Sequence, residues 1–130
     1  MTSANKTNPV EDAERIVAVA HRLADAARAE TLSLFRSPAL RPDNKAATGF
    51  DPVTEADRAS ERAMRAILAA ERPEDAILGE EYGAQAGRSG LTWVLDPIDG
   101  TRAFMAGAPS WGVLIGLSDA RGPIYGIVDQ

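Results

Sequence analysis

The chain has 130 residues, 45% of them hydrophobic and 25% charged, which fits one modest ordered domain with a real core and excludes disorder as the default. The formal net charge is −5, with acidic residues spread along the chain; this argues against a nucleic-acid or anionic-membrane partner, because phosphate-backbone binding needs a basic face. Cysteine is absent and the single histidine is His21, so disulfides and thiolate metal sites are excluded and any metal is held mainly by oxygen, as suits Mg2+, Mn2+ or Ca2+.

Residues 1–8 are polar, carry no signal-peptide core and are expected to be flexible. Asn8-Pro9-Val10-Glu11 reads as a helix start, with Asn as N-cap, Pro at the first helical position and Glu three residues after the cap. Ile16, Ala20, Leu23, Ala27 and Leu34 then recur at helical spacing, to about Phe35. His21 lies beside that stripe without a second histidine or an acidic cluster, so it is read as a surface or partly packed residue rather than a ligand. Residues 37–49 form a loop, and Asp51-Pro52-Val53 a short extended piece. Thr54 opens a second helix that runs to about Glu71 and ends at Arg72-Pro73, with Ala59, Ala63, Met64, Ile67 and Leu68 facing inward.

Ala76-Ile77-Leu78 reads as a short buried strand that stops at Gly79-Glu80-Glu81-Tyr82-Gly83. Leu91 to Leu95 reads as another, stopping at Asp96-Pro97-Ile98-Asp99-Gly100-Thr101. Residues 103–106 make a helical turn, broken by Gly107 and Pro109. Trp111 to Leu117 alternates Trp111, Val113, Ile115 and Leu117 with Gly112, Leu114 and Gly116, the pattern of a strand covered on both faces. Ile124 to Val128 is a further strand, antiparallel to it across the turn at Asp119 to Pro123. Helices first and strands later favour an α+β fold over a regular βαβ repeat. No apolar run approaches bilayer length, so the expected setting is the cytoplasm. An apolar strand running up to Gln130 leaves a bare edge, as expected of a piece of something longer.

Three places join a short apolar segment to acidic residues: Thr54-Glu55-Ala56-Asp57, Gly79-Glu80-Glu81 and Asp96-Pro97-Ile98-Asp99-Gly100-Thr101. Each has a purely structural explanation. Thr54 and Asp57 match a capping box, Glu80 and Glu81 match solvated loop charges, and Asp99 and Asp96 match an N-cap and a turn former. These explanations work singly and strain together. If neighbouring strands end on one side of a sheet, Glu80, Asp96 and Asp99 converge, and their repulsion is reversed only by a divalent cation. Oxygen-only ligands suit Mg2+, which commonly shares its waters with a substrate phosphate. Two such ions about 4 Å apart can activate a water and stabilise the leaving oxygen in an in-line displacement at phosphorus. Gly100 would let the backbone approach a phosphate, with the N–H groups of Gly100 and Thr101 facing it from a helix start. Spacing therefore favours metal-dependent phosphate chemistry without naming a substrate. A calcium loop of the EF-hand type fails, since no Asp-x-Asp-x-Asp-Gly loop with a terminal Glu is present.

Asp51-Pro-Val-Thr-Glu-Ala-Asp57, Gly79-Glu80-Glu81 and Trp93-Val-Leu-Asp-Pro-Ile-Asp-Gly-Thr101 closely resemble, in order and spacing, the three N-terminal motifs of the inositol monophosphatase-like phosphatases. Similarity runs from about Glu11 to the end of the chain. The resemblance implies the N-terminal half of the layered αβαβα sandwich of the inositol monophosphatase/fructose-bisphosphatase fold, with two helices packed on a mainly antiparallel sheet. Residues 9–130 would form this metal- and phosphate-binding part. It also implies roles. Glu80, Asp96 and the main-chain carbonyl of Ile98 would hold one Mg2+, for which Mn2+ can substitute. Asp96 would bridge to a second ion, which Asp99 also binds. Thr101, paired with Asp57, would orient and deprotonate the attacking water, and the amides of Gly100 and Thr101 would hold the phosphate. Glu81 would be an outer-shell or third-metal partner, and Thr54 would support Asp57 through the helix cap.

Within that family, the stretch from Thr101 to Leu117 and the ending Gly-Ile-Val-Asp-Gln130 resemble the histidinol-phosphatase branch. Typical inositol phosphatases tend to have Thr-Asn-Phe after the Asp-Gly-Thr, where this chain has Arg102-Ala103-Phe104. The implied substrate is L-histidinol phosphate, with inositol 1-phosphate or another sugar-alcohol phosphate as the alternative and a non-catalytic metal- or phosphate-binding module as the reading of another class. Family members are about twice as long and draw a further metal-binding aspartate and most substrate contacts from their second half. The chain is accordingly expected to be a fragment with little turnover alone, whose full-length parent is a homodimer.

Overall fold

The computed structural model describes residues 9–35, 54–99 and 112–129. The expected flexible segment 1–8, the extended piece at 51–53 and the helical turn at 103–106 lie outside them. Two helices, α1 (Pro9–Leu34) and α2 (Thr54–Glu71), precede five strands: β1 (Ala76–Gly79), β2 (Gly83–Gln85), β3 (Thr92–Asp99), β4 (Gly112–Asp119) and β5 (Gly122–Asp129). The strands form one sheet in the order β2-β1-β3-β4-β5. β1 and β3 run parallel, and the other three neighbouring pairs are antiparallel. The expected arrangement of two helices on a mainly antiparallel sheet is therefore what forms.

α1 carries Glu11 and Asp12 in its first turn, where carboxylates complement the helix dipole. Its apolar stripe buries Ile16, Val19, Ala20, Leu23, Ala24 and Ala27, while His21 stays exposed. The run of alanines lets α2 approach closely enough for the Ser60 hydroxyl to donate to the Ala27 carbonyl at 3.4 Å. At the helix surface Arg22 pairs with Glu71, and Arg72 pairs with Asp12 at 3.2 Å.

α2 begins and ends where its capping signals place it, but its inward face is turned from the expected one. Met64 and Leu68 are fully buried, whereas Ala59, Ala63 and Ile67 are only half-buried, and Ala56, Ser60 and Glu61 complete the buried set. The reason is that α2 packs against both α1 and β3. Its buried surface follows two neighbours and not the most apolar stripe.

The core lies between the helices and one face of the sheet, where Trp93, Leu95, Val113, Ile115 and Leu117 join the helical residues. Trp93 is fully buried, and its indole N–H donates to Asp75 Oδ2 at 2.9 Å. Asp75 also accepts from Arg72 Nε at 2.7 Å and Ser89 Oγ at 2.6 Å, so the buried carboxylate is fully engaged. Burial lowers the affinity of the Arg72 guanidinium for its proton, but hydrogen bonds to Asp75 and then Asp12 outweigh it and hold the pKa above its ordinary value.

Among the described residues, β4 buries Val113, Ile115 and Leu117 on one face, while Leu114 and Gly116 on the other are half-buried beside the exposed Leu78, Val94 and Val128. One expectation about the sheet is corrected: β3 does not stop at Leu95 but runs to Asp99. It does so across a register shift between Asp96 and Asp99 that takes Pro97, which has no N–H to pair, through the strand.

Candidate metal and phosphate site

Gly79 pairs with Leu95 at the end of the parallel β1–β3 ladder. The next N–H, that of Glu80, donates to the Leu95 carbonyl at 3.3 Å. Glu80 and Asp96 therefore follow the last parallel pair side by side, Glu80 just past the end of β1 and Asp96 within β3 where its parallel pairing stops, a favoured region for ligands in sheets with parallel strands. The Glu80 side chain is exposed and that of Asp96 half-buried. Asp96 borders the face of the sheet opposite the helices, in a shallow groove with Val94, Leu114 and Val128 among the described residues.

The irregularity in β3 decides how Asp99 stands relative to Asp96. In a regular strand, residues three apart face opposite sides. Here Asp96 pairs with Leu114 and Asp99 with Gly112, and these two partners are two residues apart in β4. One extra residue in β3 thus brings the Asp96 and Asp99 positions to register with the same face of β4. The extra residue also appears in burial: Pro97 and Ile98 are consecutive and both buried. Bulges that re-aim side chains are frequent beside active sites.

Asp57 lies in the first turn of α2 with Glu55 and is half-buried; α2 packs on β3, the strand that carries the two aspartates. Ile98 is buried in the core. Glu81 is half-buried in the turn after β1. Gly100 and Thr101 lie outside the described residues, as do the side chains of Thr54 and Asp99. Among the described residues no group of three or more acidic or histidine side chains is close enough to hold a metal ion. The structure thus places Glu80 and Asp96 at neighbouring positions just past the last parallel pair of β1 and β3, and sets Asp57 on the helix packed against β3. The donor chemistry there is carboxylate oxygen, which fits a hard divalent cation such as Mg2+.

A residue that sequence reasoning missed organises the turn. Glu61 of α2 is fully buried and accepts from the N–H groups of Glu81 at 2.9 Å and Tyr82 at 3.0 Å. It is ion-paired with Arg65 Nε at 2.9 Å, one helical turn along. Arg65 also donates to the Gly83 carbonyl at 2.5 Å and stands over the Tyr82 ring, 5.9 Å from its centroid. A Cβ on Gly79 would overlap the Glu61 carboxylate. At the surface, Arg62 donates to the Tyr82 hydroxyl at 2.8 Å and to Glu55 at 3.3 Å, and these bonds, Tyr82 first, raise its pKa. Nothing local distinguishes Glu61 from an ordinary solvent-facing (i, i+4) partner of Arg65. The one available signal is its adjacency to Ser60 and Met64 on the inner side of the helix.

The chain spans about two fifths of the length of the curated relatives it matches. Histidinol-phosphatase of Streptomyces coelicolor is 42% identical over 114 residues, which is 85% of this chain and 42% of that protein. Inositol-1-monophosphatase of Mycobacterium bovis is 40% identical over 126 residues, again 85% of this chain and 42% of that protein. Among solved structures, an inositol monophosphatase from Zymomonas mobilis superposes with a TM-score of 0.73 at 46% identity, covering 96% of this chain and 45% of that one. Residues 12–130 match the inositol monophosphatase family, so the stretch that holds nearly all of α1, the whole of α2 and the sheet with Glu80 and Asp96 is shared with it. On these grounds the chain belongs to the inositol monophosphatase family.

Proposed function

We propose that this chain carries the metal- and phosphate-binding part of a Mg2+-dependent phosphomonoesterase that hydrolyses L-histidinol phosphate to L-histidinol and phosphate. The observation that carries the reading is that Glu80 and Asp96 directly follow the last parallel pair of β1 and β3, with the Asp99 position brought to Asp96's face by the bulge. Glu80, Asp96 and the Ile98 carbonyl would hold one metal ion, Mg2+ or in substitution Mn2+, and Asp96 with Asp99 would hold a second. When bound, the metal supplies Lewis acidity and charge neutralisation at the phosphate. Thr101 and Asp57 orient the attacking water, and the Asp57 carboxylate receives its proton. The water oxygen bonds to phosphorus as the ester P–O bond breaks, and the departing alcohol oxygen takes a proton from solvent water, to which Asp57 then returns the proton it received. The amides of Gly100 and Thr101 would bind the phosphate oxygens, Thr54 would support Asp57 through the helix cap, and Glu81 would act from outside the immediate ligand set.

The histidinol substrate is supported by relatives named histidinol-phosphatase at 42% and 44% identity. Inositol 1-phosphate is the second reading, favoured by the relatives named inositol-1-monophosphatase at 40%. A non-catalytic metal- and phosphate-binding module is a reading of another class, compatible with the same acidic residues. For the whole enzyme the proposal is a cytoplasmic homodimer in histidine biosynthesis, without nucleic-acid or membrane partners. The net charge of −5 supports the first exclusion. No described helix is long and apolar enough to cross a membrane.

Phosphate release in Mg2+ tests the assignment. Release is expected to be slow from these 130 residues alone, because the relatives carry a further three fifths of chain, and faster from histidinol phosphate than from inositol 1-phosphate. Equal or faster release from inositol 1-phosphate overturns the substrate. Absence of any Mg2+ or phosphate binding heat overturns the site.

A further inference from the structure

We propose that Glu61 is a positioning residue for the metal site: its buried carboxylate, paired with Arg65, clamps the backbone of the Gly79–Gly83 turn and so fixes where Glu80 is presented. The proposal rests on the reading of Glu80 as a metal ligand.

A fully buried carboxylate is costly unless its charge is paired and its lone pairs are used. Glu61 meets both conditions through Arg65 and the N–H groups of Glu81 and Tyr82. For stability alone an apolar residue of similar volume serves as well or better. What an apolar residue cannot do is hold two consecutive N–H groups of a turn. Arg65 takes the other side of the same turn through the Gly83 carbonyl. Two side chains one helical turn apart thus grip a donor pair and an acceptor on either arm of the bend.

Glu80 sits between two such anchors. Its own N–H is tied to Leu95, the residue before Asp96, and the two N–H groups after it are tied to Glu61. The side chain is exposed and able to take a ligand, while the backbone that carries it is held. Gly79 belongs to the device, since any side chain there would occupy the space of the Glu61 carboxylate. Pre-ordering of this kind removes the cost of fixing a ligand when the cation arrives.

The test uses the 130-residue chain and two readouts: the Mg2+ dissociation constant by calorimetry, and amide hydrogen exchange of Glu81 and Tyr82 without metal. Glu61→Gln keeps the shape but loses the ion pair and turns an NH2 toward one of the two donors. It is expected to weaken Mg2+ binding about 10- to 100-fold, the range for residues that orient metal ligands, and to speed exchange at Glu81 and Tyr82. The indole N–H of Trp93, at the opposite end of β3, should exchange as in the wild type. If that indole also exchanges faster, the variant has lost its fold and Arg65→Lys carries the test, with a several-fold loss of affinity and faster exchange at Tyr82 expected. Unchanged affinity or unchanged amide exchange in a folded variant overturns the proposal. Glu80→Gln separates the two readings: if it binds Mg2+ like the wild type, or if the wild type binds none, the ligand assignment falls and takes the proposal with it. If Glu80→Gln loses binding and Glu61→Gln does not, the positioning role alone falls.

Discussion

The carboxylate of Glu61 occupies the space that a side chain on Gly79 would need, although the two residues lie on different elements, the middle of α2 and the last position of β1. Gly79 is thus a packing requirement in extended backbone, where its conformational freedom is not needed. Gly79→Ala is expected to destabilise the chain by about 1–3 kcal/mol through overpacking, read as a lower denaturant midpoint at unchanged slope. A midpoint equal to the wild type's would mean that the Glu61 side chain moves aside freely.

Asp96→Ala separates a ligand from a turn former. Asp96 is half-buried at a strand irregularity, so its removal is expected to abolish Mg2+ binding while leaving thermal unfolding within a few degrees of the wild type. Retained binding would return Asp96 to a structural role.

At the far end of β3, the Trp93–Asp75 pair predicts a graded response. Trp93→Phe removes the indole N–H while leaving Arg72 and Ser89 on the carboxylate, and is expected to cost about 1–3 kcal/mol. Trp93→Ala adds a cavity in the core and is expected to cost about 3–5 kcal/mol. Chemical denaturation measures both, and similar losses for the two would mean that the hydrogen bond dominates over the packing.

Arg28 joins α1 to β5 through two parallel bonds to Asp129, each 3.0 Å, and also meets Asp25. The pair with Asp129 raises the Arg28 pKa, so the guanidinium remains charged throughout the working pH range. Because the side chain is exposed, solvent and salt screen the attraction. Arg28→Ala is expected to lower the unfolding midpoint slightly at low ionic strength and not at all near 1 M salt, where the Debye length is about 3 Å. A loss that persists in high salt would point to packing by the arginine stem.

How much of this was legible in the sequence follows from the range of the forces involved. The Asn8-Pro9 start, the apolar spacing from Ile16 to Ala27, the stop at Arg72-Pro73 and the apolar runs around Ile77, Trp93, Ile115 and Ile127 are local signals, and they place α1, α2, β1, β3, β4 and β5 within a few residues. The order and spacing of the acidic motifs likewise carry the family. The three-residue β2 has no apolar pattern of its own and exists because its backbone pairs with β1.

By itself, then, the sequence determined the elements, the family and the set of candidate ligands, because capping, periodicity and motif spacing act over a few neighbouring residues. Only the tertiary structure decided which face of α2 is buried, that Asp96 and the Asp99 position share a side, and that a glutamate lies in the core. The α2 face depends on two partners at once, and the shared side depends on one extra residue measured against β4. The burial of Glu61 depends on N–H groups that lie 20 and 21 residues further along. A charge is stable inside a protein only when its partners are brought to it, and it is the fold that brings them.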